Sequence, residues 1–403
     1  MSASPVAPGV DLMDLSLFVE GREDGAFDEL RRSDPVHWNP PSDHGPGFWS
    51  LLRYGDVRDA ASDASGLSSA AGTQIVDRKV EGHGPSSLHN MDDPEHAKLR
   101  KVTIPHLRAV KIQQWQEVIE SSVGLLLDEA VERGTFDMVE LVAARLPMLV
   151  LSQVMGVPAA DAPRMVDWTN RLTSSDPDHK VDAAALQAAR DDIMGYFEQL
   201  TEQRRREPTN DLVSILVNGR KDGEPLTWGE LAAYYIVIVA AGNETTRHLV
   251  SGATIALDHT PGAWERFAAE PAVLATAVEE MFRYVTPLSA MRRTATRDLV
   301  IDGREISEGE KVVLWFAAAN RDPDVFDAPH EFRLDRTPND HLTFGWGIHF
   351  CLGAHLARAE VRAFYRAALD RGLRFEVAGE PERLPQNIFR GWRHIPTRVV
   401  STR

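Results

Sequence analysis

The sequence predicts a mainly α protein with a minor β region, organised as a single large domain. Three observations support this prediction: apolar residues return every three or four positions over long stretches, β signals are short and scattered, and no linker or repeat divides the 403 residues. A hydrophobic content of 43% is sufficient for a substantial core. We expect residues 1–20 to form a partly ordered N-terminal segment and residues 21–403 to form the domain.

The predicted helices share an apolar face that repeats with the helical period. They cover residues 114–130, 141–155, 183–206, 228–257, 272–284 and 352–369. The predicted strands are short runs rich in β-branched and aromatic residues. They cover residues 48–51, 299–301, 311–315 and 395–400.

Charge and composition limit the class of partner. The formal net charge of −16 and the pI near 5.3 argue against nucleic acid or an anionic membrane as the main partner. The longest apolar run, residues 231–241, is shorter than the roughly 18 residues that a membrane span needs. The first residues show no basic segment followed by an apolar stretch, so no secretory signal is visible. We therefore expect a cytoplasmic protein without a membrane span.

The single cysteine is the most informative residue for function. Cys351 lies in residues 344–353 (FGWGIHFCLG), directly ahead of a predicted helix. The N–H groups and dipole at a helix N-terminus are expected to lower the pKa of this thiol. A thiolate is a suitable axial ligand for haem iron, and glycines let a backbone pass close to a flat macrocycle. The pattern predicts a metal ligand rather than an inert buried thiol.

The segment 344–353 resembles the haem-binding signature of the cytochromes P-450. The resemblance extends from about residue 35 to the C-terminus. It implies the cytochrome P-450 fold and a haem b (iron protoporphyrin IX) with the Cys351 thiolate as axial ligand. It also implies that Phe344, Gly345 and Gly353 belong to the loop that holds the haem.

The longest predicted helix interrupts its apolar sequence at residues 241–246 (AGNETT). A carboxylate and a glycine inside a core helix cost free energy unless something compensates. The stretch resembles the oxygen-activating part of the family's central helix. The resemblance implies that Glu244 and Thr245 manage proton delivery and that Ala241 and Gly242 lie against haem and dioxygen. From the residues alone, a threonine bonded to a helix carbonyl and a solvent-facing glutamate remain the alternative.

A third motif is the pair Glu280 and Arg283, which share one face of a predicted helix. Alone, such a pair usually forms a weak surface salt bridge. Its position between the other two motifs resembles the buried pair that braces the haem-binding core in the family. The family adds a second arginine to this pair. Arg336 is our candidate, and Arg333 is the alternative.

The resemblance also implies cationic partners for the two haem propionates. His96 and Arg100 lie one helical turn apart and can reach the same anion. Arg293 and His349 match further propionate-binding positions. Arg292 is the alternative to Arg293.

The resemblance places the substrate pocket at five apolar residues, namely Val237, Leu288, Ala290, Ile388 and Phe389. Such a lining predicts a hydrophobic small molecule, and a lipid, sterol, terpenoid or other natural product is expected. A carboxylate on the substrate could be anchored by Arg78, Lys79 or Arg390. Solvated side chains are the commoner outcome for such cations.

Basic residues cluster on two predicted helices despite the acidic total. They are Lys98, Arg100, Lys101, Arg108 and Lys111 on one helix, and Arg358, Arg362 and Arg366 on the other. A local basic patch steers an acidic partner protein. The sequence has no flavin or nicotinamide fingerprint, so we expect electrons from a separate ferredoxin and ferredoxin reductase.

Together, the resemblances imply a monooxygenase that inserts one atom of O2 into a C–H bond of a hydrophobic substrate. Two alternatives stay open. The same haem-thiolate site could perform oxidative coupling, desaturation or peroxide-driven oxidation. A non-catalytic haem protein that binds or senses a ligand is the alternative of another class.

Overall fold

A computed structural model describes residues 10–42, 45–76, 87–173 and 183–401 of the chain. Its longer helices span Glu23–Ser33, Tyr54–Ser62, Glu95–Thr103, Gln116–Arg133, Arg145–Met155, Ala162–Thr173, Ala183–Arg206, Trp228–Asp258, Leu274–Val285 and Ala354–Asp370. Shorter α-helices span Leu15–Val19, Ala109–Ile112, Leu212–Asn218, Ala263–Ala269 and Phe316–Ala319. We call Trp228–Asp258 the central helix, Leu274–Val285 the bracing helix and Ala354–Asp370 the cysteine helix.

The β region is small and divided among several sheets. The largest sheet has the strand order Val36–Asn39, Phe48–Leu51, Lys311–Trp315, Ala290–Ala295 and Leu67–Ser68. Phe48–Leu51 and Lys311–Trp315 run parallel, and the other pairs of this sheet run antiparallel. A three-stranded sheet contains Leu373–Val377, Pro396–Ser401 and Thr135–Asp137. Two-stranded pairs are Arg220–Lys221 with Glu224–Pro225, Leu299–Ile301 with Arg304–Ile306, and Glu382–Arg383 with Trp392–His394.

The predicted class, mainly α with a minor β region, is confirmed. Predicted helix 183–206 and predicted strands 48–51, 299–301 and 311–315 have the observed bounds. The other boundaries shift by a few residues, as is usual for helix ends. The largest local difference lies in predicted helix 141–155, which begins as a π-helical turn, Val139–Ala143, before the α-helix Arg145–Met155.

The central helix passes through the main apolar core. It packs against Arg145–Met155 and the bracing helix, and the bracing helix in turn packs against the cysteine helix. The helix starts with a capping box, in which the Glu230 N–H donates to Thr227 Oγ1 and the Thr227 N–H donates to Glu230 Oε2. Within the described ranges, no helix combines the length and apolarity that crossing a membrane requires.

The described part of the predicted N-terminal segment packs onto the rest of the chain. Leu12 and Phe18 are buried, and the Phe18 ring stacks on Trp315 at 6.1 Å. Residues 1–9 lie outside the described residues.

Candidate active site

The cysteine loop, residues 344–353, is closed by backbone hydrogen bonds. The Cys351 N–H donates to the Phe344 carbonyl at 2.8 Å. Gly345 has φ +70° and Gly347 has φ +69°, which is backbone that glycine adopts readily. A Cβ on Gly347 would also lie 2.6 Å from the Ala61 carbonyl oxygen. At Gly353, in contrast, an added Cβ meets no protein atom within 4 Å.

Cys351 lies among protein atoms, yet part of its side chain remains exposed. Burial raises the pKa of its thiol, although the Gly353 N–H and the charges of Arg100 and Arg358 act in the opposite direction. The Gly353 N–H supplies the expected lowering of this pKa, but desolvation outweighs it for the protein groups alone. Bonding to a metal cation is what favours a thiolate in such a place.

Basic side chains from three parts of the chain converge beside this loop. The rings of His96 and His349 are 4.2 Å apart, and Arg100 donates to the Phe350 carbonyl at 2.6 Å. Burial, followed by the charges of Arg293, His96 and Arg100, lowers the pKa of His349 to about 3. The structure therefore gathers His96, Arg100, Arg293 and His349.

Of the two adjacent arginines, Arg293 is the one whose charge acts on His349. Burial lowers the pKa of Arg293 to about 10, and Asp92 opposes this effect. Its Nη1 donates to the Arg292 carbonyl at 2.9 Å. Arg292 donates to Thr294 Oγ1 at 3.2 Å.

The residues present fit a haem. Arg100 and Arg293 place two cations beside two imidazoles whose protonation is opposed by burial and by these charges, and two propionates would supply compensating anions. His96 Nε2 is a buried nitrogen without a hydrogen-bond partner among the described residues. Cys351 would bind the iron, and His96, Arg100, Arg293 and His349 would bind the propionates. Sequence reasoning missed Ser69, whose hydroxyl lies 3.1 Å from His349 Nε2, because no local pattern links residues so far apart in the chain.

On the central helix, Ala241 is exposed even though the helix runs through the core. The neighbouring Gly242 has a packing explanation, since a Cβ there would lie 2.8 Å from the Leu151 side chain. Contact with Leu151 is therefore a packing reason for a small residue at this position. Thr245 donates its hydroxyl to the Ala241 carbonyl at 3.1 Å.

Glu244 does not face solvent, because it is only 2% exposed. Its Oε2 lies 3.2 Å from His248 Nε2, and its Oε1 lies 3.8 Å from Arg247 Nη1. Sequence reasoning missed His248, although its position four residues after a glutamate on a helix was a usable signal.

The Glu280 carboxylate is fully buried and receives donors from two segments, its own helix and residues 333–339. Arg283 donates through Nε and Nη2 at 2.7 and 2.8 Å. Arg336 donates through Nε at 3.0 and 3.1 Å, and Asn339 Nδ2 donates at 3.2 Å. The Arg333 backbone N–H adds a bond of 2.9 Å, but its side chain pairs with Asp327 instead. The structure thus brings Glu280, Arg283 and Arg336 together.

Four of the five predicted pocket residues lie in one apolar cluster. Ala290 and Ile388 are buried there, with Leu288 and Phe389 packed against them. Leu288 and Phe389 also form an isolated β-bridge. Val237 packs against the separate main core.

The cations considered for a substrate carboxylate fall into two groups. Arg78 and Lys79 lie outside the described residues. Arg390 is mostly buried and bonded to Asp24 at 3.0 Å and to Glu23 at 3.2 Å. It is therefore engaged by protein carboxylates.

Comparisons with known proteins show the family of the chain. The profile of the family described as Cytochrome P-450 matches residues 56–398. Linalool 8-monooxygenase of Pseudomonas putida is 31% identical, over 97% of this chain and 98% of its own. A steroid C26-monooxygenase of Mycolicibacterium smegmatis is 32% identical, over 95% and 92% respectively.

The structural comparison gives the same result. Mycobacterium marinum cytochrome P-450 CYP268A2, solved in complex with pseudoionone, superimposes with a TM-score of 0.90. It is 32% identical, and the alignment covers 99% of this chain and 100% of that one. With its cysteine loop, its buried Glu280–Arg283–Arg336 cluster and these relatives, the chain belongs to the cytochrome P-450 family of monooxygenases.

Proposed function

We propose that this monooxygenase binds haem b and uses O2 and electrons from a ferredoxin and its reductase to hydroxylate a hydrophobic small molecule. A lipid, sterol or terpenoid is the expected substrate class. The names of two relatives point to linalool and to a steroid, and a third was solved with pseudoionone. The apolar cluster around Ile388 and Phe389 supports the same class, because burial of apolar area would supply most of the binding free energy.

The bound haem would supply O2 binding and activation at its iron. The protein's own contribution is to hold the haem through Cys351 and the four basic side chains, and to control proton delivery through side chains of the central helix. The buried Glu244 is an acid–base group inside the core, and the adjacent Thr245 hydroxyl oxygen can accept a hydrogen bond from water. Together they would deliver protons for the O2 chemistry that the haem would supply.

The proposed ferredoxin surface contains fewer cations than the sequence suggests, because some of them form ion pairs within the protein. Lys98 pairs with Glu95 and Asp222, and Arg358 pairs with Glu279. Lys101, Arg108, Lys111, Arg362 and Arg366 are exposed and make no ion pair with the residues that the structure describes. The helix Ala109–Ile112 packs against the cysteine helix, so these exposed cations belong to neighbouring elements. We call these five residues the basic patch.

The observation that carries the proposal is the position of Cys351 next to the converging basic side chains. Its test is the spectrum of the dithionite-reduced, CO-treated protein, where a thiolate ligand gives a strongly red-shifted Soret band. The Cys351→Ser variant should keep the circular dichroism of the wild type and lose that band. A folded, haem-loaded wild type without the band would refute the thiolate assignment.

The reaction type needs a separate experiment. Ligands that displace the iron-bound water, seen as a spin-state change, identify a substrate. Turnover under ¹⁸O2 with ferredoxin, reductase and NAD(P)H should then place one ¹⁸O atom in the product. Product without the label would favour coupling, desaturation or peroxide-driven oxidation, and binding without turnover would favour the non-catalytic alternative.

A further inference from the structure

His248 lies one helical turn after Glu244 on the central helix and is 1% exposed. Its Nε2 is 3.2 Å from Glu244 Oε2. When Glu244 is ionised its carboxylate oxygens only accept, so Nε2 then carries the hydrogen of this bond. Arg247 is the other described cation near this carboxylate, but its 3.8 Å separation is too long for a hydrogen bond. His248 is therefore a direct donor to the Glu244 side chain.

The opposite edge of the His248 ring lies against the late turn, residues 388–391. A Cβ built on Gly391 would be 2.0 Å from His248 Nδ1 and 2.4 Å from its Cε1, so the ring fits only because residue 391 is glycine. The Phe389 ring lies 5.7 Å from the imidazole, measured between ring centroids. These contacts leave the imidazole little freedom to rotate.

The late turn is hydrogen-bonded to residues 287–289, which precede the strand Ala290–Ala295 and include the predicted pocket residue Leu288. The Ser289 N–H donates to the Ile388 carbonyl at 2.6 Å, and the Arg390 N–H donates to the Pro287 carbonyl at 3.0 Å. The Arg390 side chain bonds Asp24 and Glu23.

We propose that His248 is a positioning residue that holds the Glu244 carboxylate for proton delivery and connects it to the late turn of the substrate pocket. This inference rests on the proposed role of Glu244. A buried carboxylate without a donor is costly, and charge-assisted hydrogen bonds are the stronger kind. Loss of the Nε2–H donor would remove this hydrogen bond from Glu244, and a larger share of the reduced O2 would then escape as peroxide instead of oxidising substrate.

The first test measures coupling, the fraction of NAD(P)H electrons recovered in product, on the reconstituted holoenzyme with a screened substrate. His248→Leu should lower coupling at least threefold and raise peroxide accordingly. His248→Gln, which restores an N–H donor, should recover at least half of the wild-type coupling. The substrate Kd from the spin-state titration should change less than twofold in both. His259→Asn, an exposed histidine at the end of the same helix, is the matched control and should behave as wild type.

The second test needs no turnover. In the diamagnetic ferrous–CO form, ¹⁵N NMR of labelled histidine should show His248 protonated at Nε2, and Glu244→Leu should remove this bias. Gly391→Ala should perturb the same signal, because its Cβ displaces the ring.

The outcomes separate the inference from the proposed function. Glu244→Gln should itself lower coupling. If Glu244→Gln lowers coupling but His248→Leu does not, the positioning role is wrong and the proposed function stands. The same holds if Glu244→Leu leaves the Nε2 signal of His248 unchanged. If Glu244→Gln leaves coupling intact, the proton-delivery role of Glu244 fails first. A His248→Gln variant as uncoupled as His248→Leu, or a loss of substrate affinity as large as the loss of coupling, would also overturn the positioning role.

Discussion

Arg336 Nε donates to both oxygens of the Glu280 carboxylate, at 3.1 and 3.0 Å, across 56 residues of chain. The other nitrogens of Arg336 donate to the backbone carbonyls of residues 327, 328 and 331. One guanidinium therefore fixes the bracing helix and the segment ahead of the cysteine loop together. Both side chains are almost fully buried, so the geometry of this pair matters more than that of a surface salt bridge.

Removal of Arg336 should therefore be severe. Arg336→Ala removes one of the two guanidinium partners of the buried Glu280 carboxylate together with the donors to the backbone carbonyls of residues 327, 328 and 331, and we expect a loss of about 3 kcal/mol or more in the free energy of unfolding. Arg333→Ala should cost about 0.5 kcal/mol or less, since the Arg333 side chain is exposed and its backbone N–H is retained. Denaturant unfolding followed by haem absorbance measures both. Equal losses in the two variants would contradict the assignment.

Glu360 gives a prediction about pH. This residue of the cysteine helix is buried, its Oε2 has no hydrogen-bond partner among the described residues, and burial raises its pKa well above the usual value. The folded state then holds a proton that the unfolded state releases above its usual pKa of 4.5. Stability should therefore fall as pH rises above about 4.5, by up to about 1.4 kcal/mol per unit.

Glu360→Gln removes that proton equilibrium, so its stability relative to wild type should increase from pH 5 to pH 8. Urea unfolding at several pH values measures this slope. Glu305→Gln, at an exposed strand position, serves as control and should show no such trend. A constant difference between Glu360→Gln and wild type across pH would show that Glu360 is already ionised when folded.

The four basic side chains beside the cysteine loop should determine how firmly haem is held. Arg293→Gln removes a buried cation from the site proposed for the propionates, so haem should transfer to an acceptor apoprotein at least tenfold faster. Arg297→Gln, at an exposed position of the same segment, should transfer haem at the wild-type rate. If the two variants lose haem equally, Arg293 does not bind a propionate.

The basic patch predicts the salt-dependent step. Arg108→Glu combined with Arg362→Glu should slow reduction by ferredoxin about tenfold or more at low ionic strength, and the difference should shrink in high salt. Substrate binding should stay unchanged. Arg206→Glu alters the same charge outside the patch and should leave the stopped-flow reduction rate unaltered. Equal rates for all proteins at low salt would place the ferredoxin elsewhere.

The sequence predicted the fold class because helical periodicity is local, and several strands were predicted residue by residue for the same reason. Tertiary relationships needed the structure. Arg333 and Arg336 have the same charge and lie three residues apart, and only the packing shows which guanidinium points at Glu280. Gly242 suggested a ligand, yet the neighbouring atoms belong to Leu151. The turn that places Gly391 against His248 joins residues that no local pattern connects.

The parallel pairing of Phe48–Leu51 with Lys311–Trp315 sets an order for assembly during translation. Its first strand leaves the ribosome long before the second, because residues 52–310 must be synthesised in between. At about 5–20 residues per second, that interval is on the order of tens of seconds. The hairpin of Val36–Asn39 and Phe48–Leu51 is only marginally stable alone. The nascent chain therefore exposes an unpaired strand edge during this interval, and we expect chaperones to bind it then.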